Sequence, residues 1–330
     1  MGYLDLKKEL VLAPQSENKV RLKTRLALAP MAGITHAGFR LIIKRIGGCG
    51  IFFSELIPSL SVLNQGLKHF SLYNHYEVNP FFYQLLVNRT DGLSEAISML
   101  ETLNPDGFDL NMGCTAPIVL KKGGGAALLN NPELALMIIR TLRRSTSKPF
   151  TIKLRTGKFS KTEFLEFVKS IVGEGIDALI IHPRDIKSRF TGKPCWDYVN
   201  FVIPEIDIPV FANGSINTND DAKKVMETCD PSGLMIGRAA VKNPWIFKEI
   251  IEDRISEKHF VNLLKEYINE LEKVIPEERR AGRLKEFISY FAKNYAFGHL
   301  WETKVQNAKN VSEIEKISYD FMNRNEAYMN

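Results

Sequence analysis

Short apolar runs rich in β-branched and aromatic residues alternate with stretches whose apolar positions recur every three or four residues. The first pattern is that of buried strands and the second that of amphipathic helices. The runs predict strands at 26–30, 50–54, 81–87, 108–112, 150–154, 178–182, 210–213 and 233–236. Helices are predicted between them near 37–46, 92–103, 133–143, 161–172 and 218–228. Asn131 before Pro132 reads as a helix start, and Asn217-Thr218 offers a second pair of capping side chains. Near-continuous apolar strands separated by helices imply a parallel sheet covered by helices. Eight repeats favour closure into a (β/α)8 TIM barrel, and the first strand is not followed by the GxGxxG turn of a dinucleotide-binding open sheet.

After position 242 the alternation stops. The segments 259–275, 277–297 and 312–323 have helical periodicity, and Ile275-Pro276 marks a break between the first two. The expected organisation is therefore an α/β barrel over residues 1–242 and a small all-helical domain over 243–330.

In such a barrel chemistry gathers at the carboxyl ends of the strands. The expected ends carry Pro30, Met31 and Ala32; Ser54-Glu55; Gln84; Asn111 to Cys114; Lys153; His182 and Arg184; Asn213, Gly214 and Ser215; and Gly237-Arg238. A polar residue at a strand end is ordinarily the entry to a loop, so no single position is informative. The ensemble directs amides, a lysine, a histidine and arginines to one mouth. The last two loops match the place where barrels bind phosphate through backbone N–H groups, and Arg238 adds a forked cation. A flavin mononucleotide phosphate fits there, as does any phosphorylated substrate.

Lys153 lies within the apolar run TIKLR, where its charge is costly unless it meets an anion or carbonyl. It suits the N1–C2=O edge of a flavin, with a Schiff base as the rival use. Gln84 and His182 suit the same ring. Cys114 begins a loop that runs on to Gly123-Gly124-Gly125 and can carry a thiol over a bound substrate, although a free cysteine is commonly just a small buried apolar residue.

Composition narrows the setting. The four cysteines, Cys49, Cys114, Cys195 and Cys229, are far apart and form neither a disulfide framework nor a zinc pattern, so no metal is expected. No apolar run is long enough to cross a bilayer and the first residues lack a signal-peptide core, so a cytoplasmic protein is expected, with no membrane partner. The formal charge is +6; residues 1–244 hold 30 Lys+Arg against 23 Asp+Glu, whereas 245–330 hold 14 against 15. The excess falls in the predicted barrel, in Lys121-Lys122, Lys158, Lys161, Arg184, Lys187, Arg189 and Lys193 of three adjacent loops. Such a rim suits a phosphate backbone. On the terminal helices Arg279, Arg280, Arg283 and Lys285 are further candidates, although alternating charge on an exposed helix also accounts for them.

The segments LAPMAGITHAGFR, FDLNMGCTAP with GGGAALL, TIKLRTG, IHPRDIKSRFTGKPCW, VFANGSI and LMIGRAAVKNPWIF follow one another over about residues 26–247. Their order and spacing resemble the motifs of the bacterial tRNA-dihydrouridine synthase family. The resemblance implies bound FMN, NADPH as reductant, tRNA as partner and a C-terminal helical domain that helps hold RNA. By position, Pro30, Met31 and Ala32 match the segment under the flavin, and Gln84, Lys153 and His182 match contacts to its ring. Asn213, Gly214, Ser215, Gly237 and Arg238 match the phosphate loops. Asn111 and Arg184 match substrate contacts, and Cys114 matches the general acid. His36, Thr115, Asp185 and Ser215 depart from the family's usual residues. A monomer is expected. The alternatives are an FMN barrel oxidoreductase acting on a small pyrimidine, the same reaction on ribosomal RNA, and a non-catalytic RNA-binding barrel.

Overall fold

The computed structural model describes residues 2–67, 78–185 and 192–325. Its strands are β1 (Leu10–Leu12), β2 (Val20–Leu22), β3 (Leu26–Leu28), β4 (Phe52–Phe53), β5 (Ile57–Pro58), β6 (Phe81–Leu86), β7 (Gly107–Met112), β8 (Phe150–Gly157), β9 (Ala178–Asp185), β10 (Val210–Asn213) and β11 (Gly233–Ile236). The main sheet runs β3-β11-β10-β9-β8-β7-β6-β4, parallel throughout, and a bridge between Ala27 and Ile51 joins its two ends. The result is an eight-stave barrel with helices outside, as the alternation of patterns predicts.

Strand alternation splits the apolar residues into two cores. Phe81, Tyr83 and Leu85, then Phe108, Leu110 and Met112, then Phe150, Ile152 and Leu154 point outward and pack under the helices. Ala27, Ile51, Phe53, Phe82, Ala178, Ile180 and Phe211 point inward and fill the barrel. This is the two-residue period of a strand buried on both faces.

Two features escape the hydrophobic pattern. The antiparallel hairpin β1–β2 inserts Leu12, Val20 and Leu22 into the inner core and plugs one end of the barrel. The second stave is also split, because Ser54, Glu55 and Leu56 interrupt it before β5 resumes pairing with β6 at Ile57–Leu85. Both are pieces of two or three residues, too short for periodicity to register.

The helix starts follow the capping side chains. Asn131 accepts from Leu134 N at 3.1 Å, and Thr218 shares a capping box with Asp221. Toward the C-terminus the Phe260–Val274, Glu277–Phe291, Gly298–Asn307 and Val311–Asn325 helices form a bundle packed through Tyr267, Phe287, Phe291 and Trp301. The helix expected over 277–297 ends at Phe291, and a further helix over Gly298–Asn307 follows. Gly298 allows this corner, because a Cβ there would collide with the Ala292 carbonyl oxygen. The bundle docks on the first barrel helix, Ala37–Ile46: Gly38 abuts the Glu270 backbone, Phe39 meets Phe287, and His36 Nε2 lies 3.0 Å from Tyr267 Oη.

Candidate active site

The carboxyl ends of the staves bring the expected polar residues to one mouth. Inward positions on successive strands carry Gln84, Asp109 with Asn111, Lys153 with Arg155, His182 and Asn213. Gln84 stands opposite Asp109, Asn111 opposite Lys153, and Arg155 opposite His182. Gln84, Asp109, Asn111, Arg155 and Asn213 are buried. Lys153, His182, Cys114, Met31, Gly214 and Gly237 are partly exposed and edge the opening.

Hydrogen bonds hold this floor. Gln84 Nε2 donates to Asp109 at 2.7 Å, Thr151 Oγ1 donates to the other Asp109 oxygen at 2.6 Å, and Asn111 Nδ2 donates to Gln84 Oε1 at 2.9 Å. Asn111 Oδ1 accepts from the backbone N–H of Gly113 and of Cys114. Asn213 donates to the Met235 carbonyl at 2.7 Å, tying the seventh strand to the eighth. The Cys114 carbonyl accepts from Ala126 N at 3.0 Å, and a Cβ at Gly125 would press on Cys114. The glycine run thus lets the chain fold back against the thiol segment. Short helical pieces, Pro117–Lys121 and Gly125–Asn130, occupy the loop between.

The phosphate-type loops crowd the same opening. Gly214 has φ 129°, and a Cβ there would lie 2.9 Å from His182 Cδ2. A Cβ at Gly237 would meet Ala29 and the Met31 sulfur at 3.3 and 3.4 Å. Backbone therefore approaches the site at Gly214, where a side chain does not fit, and at Gly237, where one would be tight. Arg184 Nη2 donates to Ser215 Oγ at 2.7 Å, while its buried Nε has no hydrogen-bond partner among the described residues. Ser215 and Arg238 are exposed beside it. Pro30, Met31 and Ala32 leave β3 in a turn closed by Met31 N donating to Thr35 Oγ1 at 2.8 Å.

Positive charge exceeds negative charge here. Burial, followed by Lys153, Arg155, Arg184 and Arg238, drives the His182 pKa far below its usual value, so the imidazole is neutral. Lys153 is pushed down to about 8 by burial and by Arg155, against the pull of Asp109. Arg155 is pushed down to about 10 by burial and Arg184. Asp109 is raised to about 7 by burial, opposed by Thr151, Gln84 and Lys153. Cations and amide donors gathered around a neutral histidine select an anion or an electron-rich ring.

Asp109 and Arg155 were not among the expected site residues. Each lies two positions from an expected one, Asn111 and Lys153, so strand periodicity places it on the same inward face. Glu55 also belongs to the framework, because its carboxylate accepts from Gly33 N and lies 3.7 Å from Arg283 Nη2.

The basic rim is smaller than expected. Lys161 pairs with Asp197 at 2.7 Å, and Lys187 and Arg189 lie outside the described residues. Lys121, Lys122, Lys158 and Lys193 are exposed. A cleft of about 410 Å³ beside the mouth is lined by Lys158, Phe159, Arg184, Lys193 and Tyr198. On the bundle, Arg280 donates to the Ile275 and Glu272 carbonyls, Lys285 donates to the Gln306 carbonyl, and Arg283 faces Glu55 and Glu286. These three serve the bundle rather than a free basic face, and only Arg279 of the four is exposed. His36, the departure in the first motif, caps the first barrel helix and seals it to Tyr267. Thr115 is buried, and its hydroxyl has no hydrogen-bond partner among the described residues.

Fold and site together define a (β/α)8-barrel enzyme with a single donor-rich mouth. A family model for dihydrouridine synthases (Dus) matches residues 27–323, and the chain belongs to this family of NAD(P)H-dependent oxidoreductases. It is 28% identical over 301 residues to a probable tRNA-dihydrouridine synthase of Aquifex aeolicus, covering 89% of this chain and 95% of that protein. It is 35% identical over 231 residues to tRNA-dihydrouridine synthase B of Pseudomonas aeruginosa, covering 69% of each. Among solved structures, a 2-naphthoyl-CoA reductase complex shares the fold at a TM-score of 0.59 and 15% identity, covering 76% of this chain and 53% of that one.

Proposed function

We propose that the protein reduces uridines in tRNA to 5,6-dihydrouridine, using FMN as bound cofactor and NADPH as reductant. The observation that carries this reading is the placement of a hydrogen-bonded thiol loop above a floor of cationic and amide donors. The residues present fit FMN on their chemistry. Gln84, Lys153 and His182 offer polar contacts to the pyrimidine edge of the ring, with Pro30, Met31 and Ala32 beside it. Asn213, Gly214, Ser215, Gly237 and Arg238 would take the phosphate, where a glycine lets backbone approach and several cations lie close together. When bound, FMN supplies the two-electron reduction, passing reducing equivalents from NADPH to the 5,6 double bond of the uracil.

The chain's own residues do the rest. Cys114 Sγ gives its proton to C5 of the uracil as general acid. Asn111 fixes the thiol segment through two backbone N–H groups and faces the base. Arg184, anchored on Ser215, keeps a buried N–H for a substrate oxygen. Neutral His182 donates or accepts without adding charge beside Lys153. A uracil stacked in folded RNA must leave its stack to enter the mouth, at a cost of a few kcal/mol. Exposed Lys121, Lys122, Lys158 and Lys193 offer a phosphate-binding rim, and residues 243–330 form the domain that helps orient the RNA. We place the reaction in the cytoplasm, carried out by a monomer. The names of the relatives support tRNA as substrate.

The test is anaerobic reoxidation of the NADPH-reduced protein. Unmodified tRNA reoxidises it and acquires dihydrouridine, while free uridine does not. Reoxidation by free uridine or another small pyrimidine, with tRNA inert, would overturn the RNA assignment.

A further inference from the structure

Beneath the mouth runs a continuous hydrogen-bond chain: Thr151 to Asp109, Gln84 to Asp109, Asn111 to Gln84, and the Gly113 and Cys114 N–H groups to Asn111. Asp109 is fully buried, Gln84 and Thr151 are 1% exposed, and Asn111 is 7% exposed. The two ends differ in kind. A backbone N–H only donates, and the Asp109 oxygen that faces Gln84 accepts whether the carboxyl is ionised or carries its proton on the oxygen toward Thr151. Between them stand two amides, each able to face either way.

We propose that Asp109 is a positioning residue that sets the direction of this chain and so holds the Cys114 segment in place. Its oxygen takes the Gln84 amide nitrogen, which leaves Gln84 Oε1 to accept from Asn111 and Asn111 Oδ1 to accept from Cys114. Without an acceptor at 109, Gln84 is free to turn its nitrogen toward Asn111. Two donors then face each other. Asn111 relieves that conflict only by turning its own nitrogen toward the Cys114 and Gly113 N–H groups, which moves the clash to the thiol loop. Buried polar chains of this kind are ordered when every member is satisfied and frustrated when one is not. The same direction leaves one amide hydrogen on each of Gln84 and Asn111 beyond those the chain uses, so the pocket floor presents donors rather than acceptors.

The inference deepens the thiol assignment proposed above, but its test requires neither reduction of RNA nor bound flavin. Hydrogen exchange at the Cys114 backbone amide, measured on the purified protein with and without FMN, reads the last link directly. Asp109→Leu is expected to speed that exchange about tenfold, the loss of one hydrogen bond of ordinary strength. Asp109→Asn keeps an oxygen for Gln84 and an N–H for Thr151, and is expected to restore exchange to within about twofold of the parent. Gln84→Leu cuts the chain one link later, reproduces the acceleration with Asp109 intact, and serves if Asp109→Leu does not fold. Unchanged Cys114 exchange in a folded Asp109→Leu or Gln84→Leu protein overturns the proposal, as does Asp109→Asn exchanging as fast as Asp109→Leu. A protein that binds no FMN would count against the flavin reading and leave this readout standing.

Discussion

The two halves of the barrel interior are built on the same strands and pack by opposite rules. The plugged half holds Leu12, Ala27, Ile51, Phe53, Ala178, Ile180 and Phe211, with a void of only about 10 Å³ among them. Further toward the carboxyl ends, beyond Phe82, Gly107, Thr151, Ile180 and Phe211, inward positions of β6 to β10 carry Gln84, Asp109, Asn111, Lys153, Arg155, His182 and Asn213. Apolar burial stabilises at about 25 cal/mol per Å². A buried ion costs several kcal/mol before its partners offset it. The first half therefore holds the fold together and the second draws on that stability. Buried charge gathered at one end of an otherwise apolar barrel is accounted for by what it binds.

The largest effect falls on the thiol. Cys114→Ala is expected to lower dihydrouridine formation by about 10²–10⁴-fold, the usual share of a general acid, while flavin content and NADPH oxidation persist. Product analysis of the modified RNA measures this, and unchanged formation would remove Cys114 from the mechanism. Next comes a substitution in the plugged half. Phe211→Ala should cost about 3–5 kcal/mol of stability by leaving a cavity, with FMN affinity of the folded protein preserved. Lys153→Met should do the reverse, weakening FMN binding about tenfold to a hundredfold through loss of a charged donor. Its effect on denaturant unfolding should be much smaller than that of Phe211→Ala. If both variants lost stability and affinity in parallel, the division between the halves would fail.

The smallest effect concerns pH. Asp109 titrates at about 7 in the folded protein because burial raises it, against about 3.9 when unfolded. Between those values the folded state holds a proton that the unfolded state has released, so raising the pH through this window lowers stability. Asp109→Asn removes the group. Its stability relative to the parent should therefore grow from about pH 4 to pH 7, by at most about 1.4 kcal/mol per pH unit. Unfolding curves at several pH values check this, and a gap that is flat or that shrinks with pH would contradict it.

Much of this architecture was legible in the sequence. Each of the eight predicted runs is a stave, and the barrel helices begin where Asn131 and Thr218 offer caps. The strand ends gather at one mouth because a closed parallel sheet leaves them no alternative. What was hidden had physical reasons. The β1–β2 plug and the split second stave are too short to show a period. The 277–297 segment breaks at Ala292–Asn294 through a backbone contact at Gly298 that only the fold reveals. Asp109 shares its inward face with Asn111 by the two-residue strand period, but nothing local shows that it meets Gln84 and Thr151 there. The lysines and arginines were visible as charge but not as pairs. Lys161 meets Asp197, and Arg283 meets Glu55, across separations that periodicity does not report.

The claim on which the rest depends is that the polar half of the barrel holds a flavin. Denaturing the purified protein and quantifying the released chromophore tests it most directly. The account predicts one FMN per chain, or stoichiometric uptake when FMN is added to colourless protein, with both reduced in Lys153→Met. Protein that is colourless and takes up no FMN would contradict it.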